Sequence, residues 1–237
     1  MIFLLLAAGE GTRLRPLTES IPKCLLPILG KPMLARWIDQ VLAFPDAKIF
    51  INTHYKAREV EKFISALYPH IDRIKTIYEP QLLGTAGTLL SLFTKTKQDI
   101  IAIHVDNISQ IDLREFISVF NNLQYGHAIA ATFTTSNCRN SGMVEIDSNS
   151  IIQNYDHKPN HSFLKDANAG LYAFPKEVLQ KFESETMRPL DISSDLLPKM
   201  IGRLRAFRIE GIHIDIGTDL DSYNNLDEYL KLKGFES

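Results

Sequence analysis

From Ile2 to Phe120, short apolar runs alternate with segments whose apolar residues recur every three or four positions. The runs are residues 2 to 7, AKIFIN (47 to 52), Ile74 to Tyr78 and DIIAIHV (99 to 105). The periodic segments carry Leu34, Trp37, Ile38, Val41 and Leu42, then Val60, Phe63, Ile64 and Leu67, then Leu113, Phe116, Ile117 and Phe120, while residues 79 to 93 run through a Gly-containing loop into a further helix. Strand followed by helix, repeated, predicts a mostly parallel sheet covered on both faces, because parallel strands need a long crossover to return. Pro32 suits the first turn of the first long helix.

The second half reads differently. HAIAATFTT (127 to 135), GMVEID with SIIQNYD as a hairpin about Asp147 to Asn149, and NAGLYAF (168 to 174) predict a strand-rich extension. Pro175 opens a short helix, a second is expected over 193 to 204 despite Pro198, RAFRIEG and IHIDIG give late strands, and a helix from about Asp219 to Lys233 follows. The expected fold is α/β, a Rossmann-like mixed sheet flanked by helices. It is read as one domain over 1–237, with parts 1–125, 126–218 and 219–237.

Charge narrows the partners. A formal charge of −2 with scattered Lys and Arg gives no electrostatic footprint for nucleic acid or a membrane surface. A small anion remains admissible. Cys24 and Cys138 stand far apart, without metal-type spacing, and are expected as reduced thiols of a cytoplasmic protein. The opening run has no basic residue before it and is short, so it reads as a first strand instead of a signal peptide.

In an open parallel sheet, ligands sit beyond the carboxyl ends of the strands, so residues that follow strands carry the chemistry. After the first run come Gly9, Gly11, Thr12 and Arg13, and then Lys23. Glycines let backbone N–H groups approach an anion, Arg13 offers a planar fork for phosphate oxygens, and Lys23 a point charge. Together they predict a polyphosphate cradle. It is neither a Walker A loop nor a dinucleotide fingerprint, since Thr12, Arg13 and Leu14 follow the second glycine. Asp106 ends one strand and Asp215 another, and the two carboxylates could meet at one Mg²⁺. Asp112, Asp219 and Asp221 read as helix caps, and Lys158 in YDHKP as a solvated lysine when taken alone.

The opening stretch LAAGEGTRLRPLTESIPKCLLPILGKPML closely resembles the signature of the sugar-1-phosphate nucleotidyltransferases. EPQLLGTAGTL, VDN, DHKP, NAGLYAF and DIGT follow in that family's order, so the likeness covers almost the whole chain. The resemblance implies that Leu6, Ala7, Ala8, Gly9, Gly11 and Thr12 line the nucleotide, with Arg13 on its phosphates and Lys23 at the reacting phosphates. Glu79, Gly84 and Thr85 would lie near the base and ribose, Asp106 and Asp215 on Mg²⁺, Lys158 on the sugar phosphate, and Asn168 and Gly170 on the sugar. The implied reaction joins an NTP and a sugar 1-phosphate into a nucleotide-sugar, with pyrophosphate released.

Departures from the family pattern fall at Val105, where many members have glycine, at His157, where many have glutamate, and at Ser193 and Ser194, where many have a Glu-Lys-Asp run. The combination looks most like mannose-1-phosphate or heptose-1-phosphate guanylyltransferases, with GTP as the expected donor. Uridylyl or thymidylyl transfer to a glucose-type sugar is the alternative. A GT-A glycosyltransferase is disfavoured because the triplet is Asp106-Asn107-Ile108 and not DxD, and a nucleotide-sugar sensor without turnover would be free to lose residues kept here. No hexapeptide repeat is present, so no appended acyltransferase β-helix is expected, and homo-oligomerisation is left open.

Overall fold

The computed structural model describes residues 1–157, 159–185, 189–217 and 220–235. Its contacts divide the chain into two discontinuous units: Met1–Leu4, Leu82–Ile103 and Ser109–His213 form the first, and Leu5–Gln81, His104–Ile108 and Ile214–Ser237 the second. One cut falls inside the opening strand Ile2–Leu6, every residue of which is buried, as an unbroken apolar run predicts.

In the second unit the end of that strand is followed by Lys48–Thr53 and Ile74–Tyr78, which pair in parallel with Ile49 opposite Ile74 and Thr53 opposite Tyr78. Helix Met33–Leu42 buries Met33, Leu34, Ala35, Trp37, Ile38 and Val41, one stripe of the 3.6-residue period. The Trp37 indole N–H donates to the Asn107 carbonyl at 3.0 Å, fixing the segment after Asp106. Pro32 lies just outside the helix, in a two-residue strand paired with Pro27–Ile28. The expected single C-terminal helix is two, Leu220–Asn224 and Leu226–Leu232. They are tied to the loop after the glycine turn by Tyr223 Oη donating to Pro27 O (2.9 Å) and Leu29 N–H donating to Asp227 Oδ1 (2.8 Å).

In the first unit strand Asp166–Phe174 is the hub. It runs antiparallel to Ile100–His104, to Ala128–Thr134 and to the start of Gly142–Ile146. Ile152–His157 forms the expected hairpin with Gly142–Ile146, and Leu204–Arg208 pairs in parallel with Ala128–Thr134. Strand pairs of both kinds occur, parallel and antiparallel, as a mixed sheet requires. Helix Gly84–Thr96 is buried at Ala86 to Leu90, Leu92 and Phe93, nearly all round, as a core helix is. Asp112 caps helix Leu113–Asn121, its Oδ1 accepting from the N–H groups of Arg114 and Glu115.

The helix expected over 193–204 is a correction. A π-turn at Ile192–Leu196 passes into a 3₁₀ turn at Leu197–Met200, and Leu204 already belongs to a strand. Pro198 lacks the N–H that would continue an α-helix, so the segment tightens and ends. Both cysteines are free, and burial pushes the Cys24 thiol up to about 12. No helix among the described residues is long and apolar enough to cross a membrane.

Candidate active site

The second unit brings Lys23, Asp106 and Asp215 together. Lys23 Nζ lies 2.5 Å from Asp106 Oδ2 and 3.9 Å from Asp215 Oδ1, with only 10% of the lysine side chain exposed. Two glycines make room for it. A Cβ on Gly11, at φ 66°, would strike the Lys23 stem and Thr18, and one on Gly217 would overlap the Lys23 ammonium and Asp215. Gly11 therefore serves Lys23 as well as the turn. Gly217 also donates its N–H to Asp215 Oδ1 at 2.6 Å, and Ile216 N–H donates to Asp106 O at 3.0 Å, so Ile216 and Gly217 hold one aspartate and touch the other's backbone.

Burial pushes the Asp106 carboxyl up, but Lys23, His104 and hydrogen bonds outweigh it and hold the group below the usual carboxylate range. Asp215 is pushed above that range by burial first and then by the negative charge of Asp106, against Lys23, the Gly217 N–H and Arg13. One ammonium therefore satisfies one carboxylate and leaves the other short of positive charge. A divalent cation would answer that deficit. The donors are hard carboxylate oxygens, two in number, and no group of three or more His, Cys, Asp or Glu that could hold a metal occurs among the described residues. Such a set fits Mg²⁺, which takes one or two carboxylates and completes its shell with phosphate oxygens and water, better than a structural zinc site or an all-protein calcium cage.

The opening turn is built by a chain of buried polar groups that sequence reading missed. Ala7 N–H donates to Asn52 Oδ1 (2.7 Å), and Asn52 Nδ2 donates to Glu79 Oε1 (2.9 Å). Glu79, assigned by resemblance to the base and ribose, is 3% exposed and acts on the turn through Asn52. Leu6, Ala7 and Ala8 are buried, whereas Gly9, Thr12 and Arg13 are exposed. A Cβ at Gly9 would meet nothing within 4 Å, so protein packing does not demand glycine there.

Gly84 and Thr85 belong to the first unit. Gly84 has φ 74°, and a Cβ on it would run into the Leu190 backbone, so only glycine permits the approach. Ala86 and Gly87 N–H both donate to Leu190 O, while Thr85 N–H and Oγ1 donate to Asp191 Oδ1 at 3.0 and 3.1 Å. Leu190 and Asp191 thus cap this helix from far along the chain, and no local sequence signal marks them. Asn168 donates from Nδ2 to Tyr172 Oη at 2.7 Å and accepts Gly170 N–H at Oδ1 at 3.2 Å, across a bulge in the pairing with Ala128–Thr134. Lys158 and Asp219 lie outside the described residues.

A family model described as Nucleotidyl transferase matches residues 2–231. Among curated proteins, mannose-1-phosphate guanyltransferase beta-A of Xenopus laevis is 27% identical over 234 residues, 96% of this chain and 64% of that protein. The bifunctional protein GlmU of Methanocaldococcus jannaschii is 30% identical over 222 residues, 92% of this chain and 52% of that protein. The chain thus spans between about half and two thirds of the length of these relatives. The crystal structure of HddC from Yersinia pseudotuberculosis superposes with a TM-score of 0.78 at 25% identity, covering 97% of this chain and 99% of that one, and has the same α/β architecture.

Proposed function

The chain belongs to the nucleotidyl transferase family, and on that premise we propose that it transfers a nucleotidyl group from an NTP to a sugar 1-phosphate. The observation that carries the reading is the Lys23 ammonium seated between the carboxylates of Asp106 and Asp215. GTP with a mannose- or heptose-type sugar 1-phosphate is the preferred pair. Support comes from the guanyltransferase name of a relative that matches 96% of the chain, and from the motif combination read in the sequence.

In this reaction a sugar-phosphate oxygen attacks the α-phosphorus of the NTP in line, and pyrophosphate leaves. The nucleophile is already anionic at neutral pH, because a phosphate monoester has its second pKa near 6. No side chain has to remove a proton. The protein's work is to hold two anions together and offset their charge. Arg13, exposed on the 3₁₀ turn Thr12–Leu14 and anchored by buried Leu14, supplies a fork for phosphate oxygens. Lys23 supplies a largely desolvated positive charge, and the open space beside Gly9 admits a phosphate close to the backbone. Asp106 and Asp215 would hold Mg²⁺, which when bound supplies charge neutralisation and a template for phosphate oxygens. Lys158 is assigned to the sugar phosphate by the resemblance alone.

The test is pyrophosphate release by the purified protein with Mg²⁺, for GTP, UTP, dTTP, CTP and ATP against mannose, glucose, N-acetylglucosamine and heptose 1-phosphates. Turnover confined to GTP and one mannose- or heptose-type phosphate is expected. Turnover with UTP or dTTP and a glucose-type phosphate would replace the substrate assignment while keeping the reaction. Nucleotide binding without turnover anywhere on the grid would make the chain a sensor.

A further inference from the structure

The Lys23 ammonium stands on a short loop, and that loop is held from outside. Leu25 N–H donates to Pro22 O at 2.8 Å and Leu26 N–H to Lys23 O at 3.1 Å, closing the 3₁₀ turn Lys23–Leu25. Leu26 is buried, and its carbonyl accepts from Met33 N–H at 3.3 Å. Each of the next three residues gives a main-chain group to a side chain from elsewhere in the second unit. Pro27 O accepts from Tyr223 Oη at 2.9 Å, Ile28 O accepts from the Arg36 guanidinium, and Leu29 N–H donates to Asp227 Oδ1 at 2.8 Å. The turn of the lysine is thereby linked to the last two helices.

The connection at Leu29 does not hold itself. Ile28 and Lys31 pair across two residues in which Leu29 has φ 49° and Gly30 φ 75°. A hairpin of this kind needs positive φ at both central residues, and Asn, Asp or Gly usually fills the first. Leucine meets a steric penalty there, and such conformations persist where the surroundings over-determine them. Asp227 does so by accepting the Leu29 N–H itself. Helix Met33–Leu42 bears on both sides of the ion cluster, since Arg36 holds Ile28 O and Trp37 holds the carbonyl of Asn107, next to Asp106. Arg36 in turn lies 5.9 Å from the centroid of the Phe235 ring, just past the last helix. The helices that carry Tyr223 and Asp227 follow Asp215 in the chain. The lysine loop and both aspartate segments are therefore fastened together through groups outside the cluster.

We infer that Asp227 is a positioning residue for Lys23: by accepting the Leu29 N–H it fixes the turn that ties the lysine's loop to the C-terminal helices, and so keeps the ammonium between Asp106 and Asp215. Tyr223 serves the same end at Pro27. The effect on rate rests on the nucleotidyl-transfer reading above, and the effect on the place of Lys23 does not. An acidic residue in the first turn of a helix is ordinarily accounted for by the helix dipole. The dipole does not account for an Oδ1 that meets the main chain of a turn 198 residues away.

The experiment has two arms. In the first, the intact protein receives a brief pulse of sulfosuccinimidyl acetate, and labelling of each lysine is followed by peptide mass spectrometry. Lys23, with 10% of its side chain exposed and paired to Asp106, reacts when its loop opens, whereas exposed Lys48 reports the reagent. Asp227→Ala is expected to speed acetylation of Lys23 about three- to ten-fold, the worth of one hydrogen bond in the opening equilibrium, with Lys48 unchanged. Asp227→Asn keeps an acceptor oxygen and should label as wild type does. In the second arm, pyrophosphate release is measured with Mg²⁺, GTP and mannose 1-phosphate. Asp227→Ala should lower kcat about ten-fold with both KM values unchanged, and Asp227→Asn should restore most of the rate. In a Lys23→Met background Asp227→Ala should cost nothing further, because a residue that acts through the lysine then has nothing to act on. Tyr223→Phe carries the same comparisons if Asp227→Ala does not fold. Unchanged labelling of Lys23, equal acceleration at every lysine, or the same rate loss with and without Lys23 would overturn the assignment. A wild type silent on every substrate pair, with Lys23 still labelled faster in Asp227→Ala, would strike the reaction and keep the positioning.

Discussion

The Lys23 cluster and the Tyr155–His157 pair are both polar, yet they are assembled in opposite ways. The first is charged: Asp106 lies between strands Ile100–His104 and Asn107–Ser109, Asp215 ends strand His213–Asp215, and Lys23 opens the 3₁₀ turn Lys23–Leu25. The second is uncharged: Tyr155 Oη and His157 Nδ1, two positions apart on the hairpin strand Ile152–His157, lie 3.3 Å apart. Charge can be held by position at the end of a strand, because its field reaches several ångströms and tolerates small displacements. A hydroxyl contact has to be aimed, because hydrogen bonds weaken steeply with angle.

The hardest blow to that contrast falls on the charged side. Lys23→Met, Asp106→Ala and Asp215→Ala should each lower turnover by about 10² to 10³, the usual loss for a preorganised electrostatic donor, with native far-UV circular dichroism. Near-normal turnover would remove that residue from the site. Lys23→Met should also gain more in Tm from added Mg²⁺ than wild type does, since the ion no longer has to displace an ammonium. Equal gains would mean that lysine and ion do not share a place.

Gly217→Ala keeps every charge and should still cost up to about 10²-fold in rate, because the new Cβ displaces Lys23 and small misplacements at a reaction centre are expensive. Its urea midpoint should hardly move, and a fall in midpoint as large as that in rate would make Gly217 a folding residue. Gly84→Ala is the reverse case. Its φ of 74° and the collision with Leu190 predict a loss of about 1–3 kcal/mol in urea unfolding, and an unchanged midpoint would contradict the observed approach.

The smallest effect belongs to the turn that joins the hairpin carrying Tyr155. Asp147 accepts from the N–H groups of Ile151 and Asn149 and from Gln153 Nε2. The Ile151 bond leads in holding its carboxyl below the usual range, against slight desolvation and with help from Gln153 and Asn149. A depressed folded value means that the contribution is fully present above the unfolded Asp value of about 3.9 and is lost as pH falls through the folded one. Amide exchange at Ile151 should therefore accelerate in acid beyond its intrinsic rate, and Asp147→Asn should abolish that acceleration. Identical profiles would show that the turn does not depend on the carboxylate.

Much was legible in the chain. Continuous apolar runs located the strands of the first 120 residues and period-3.6 spacing most of the helices, because burial on both faces or on one imposes those patterns on the residues themselves. The glycine turn and both aspartates were legible because each follows or ends an apolar run, where a parallel sheet places its ligands, and Lys23 because it belongs to the same opening loop. The segment from Ile192 to Leu204 was misread as a helix because its apolar spacing is nearly helical, and only packing decided how Pro198 would be resolved.

The sequence by itself determined the fold class, the family and the residue types of the reaction centre, since each is written in local pattern or a continuous motif. Tertiary structure alone decided that Lys23 lies between Asp106 and Asp215, that Glu79 acts through Asn52, and that Leu190 and Asp191 cap a helix some 100 residues upstream. These are contacts between residues distant in the chain. Their geometry is fixed only when the core has closed around them, and no local spacing carries it.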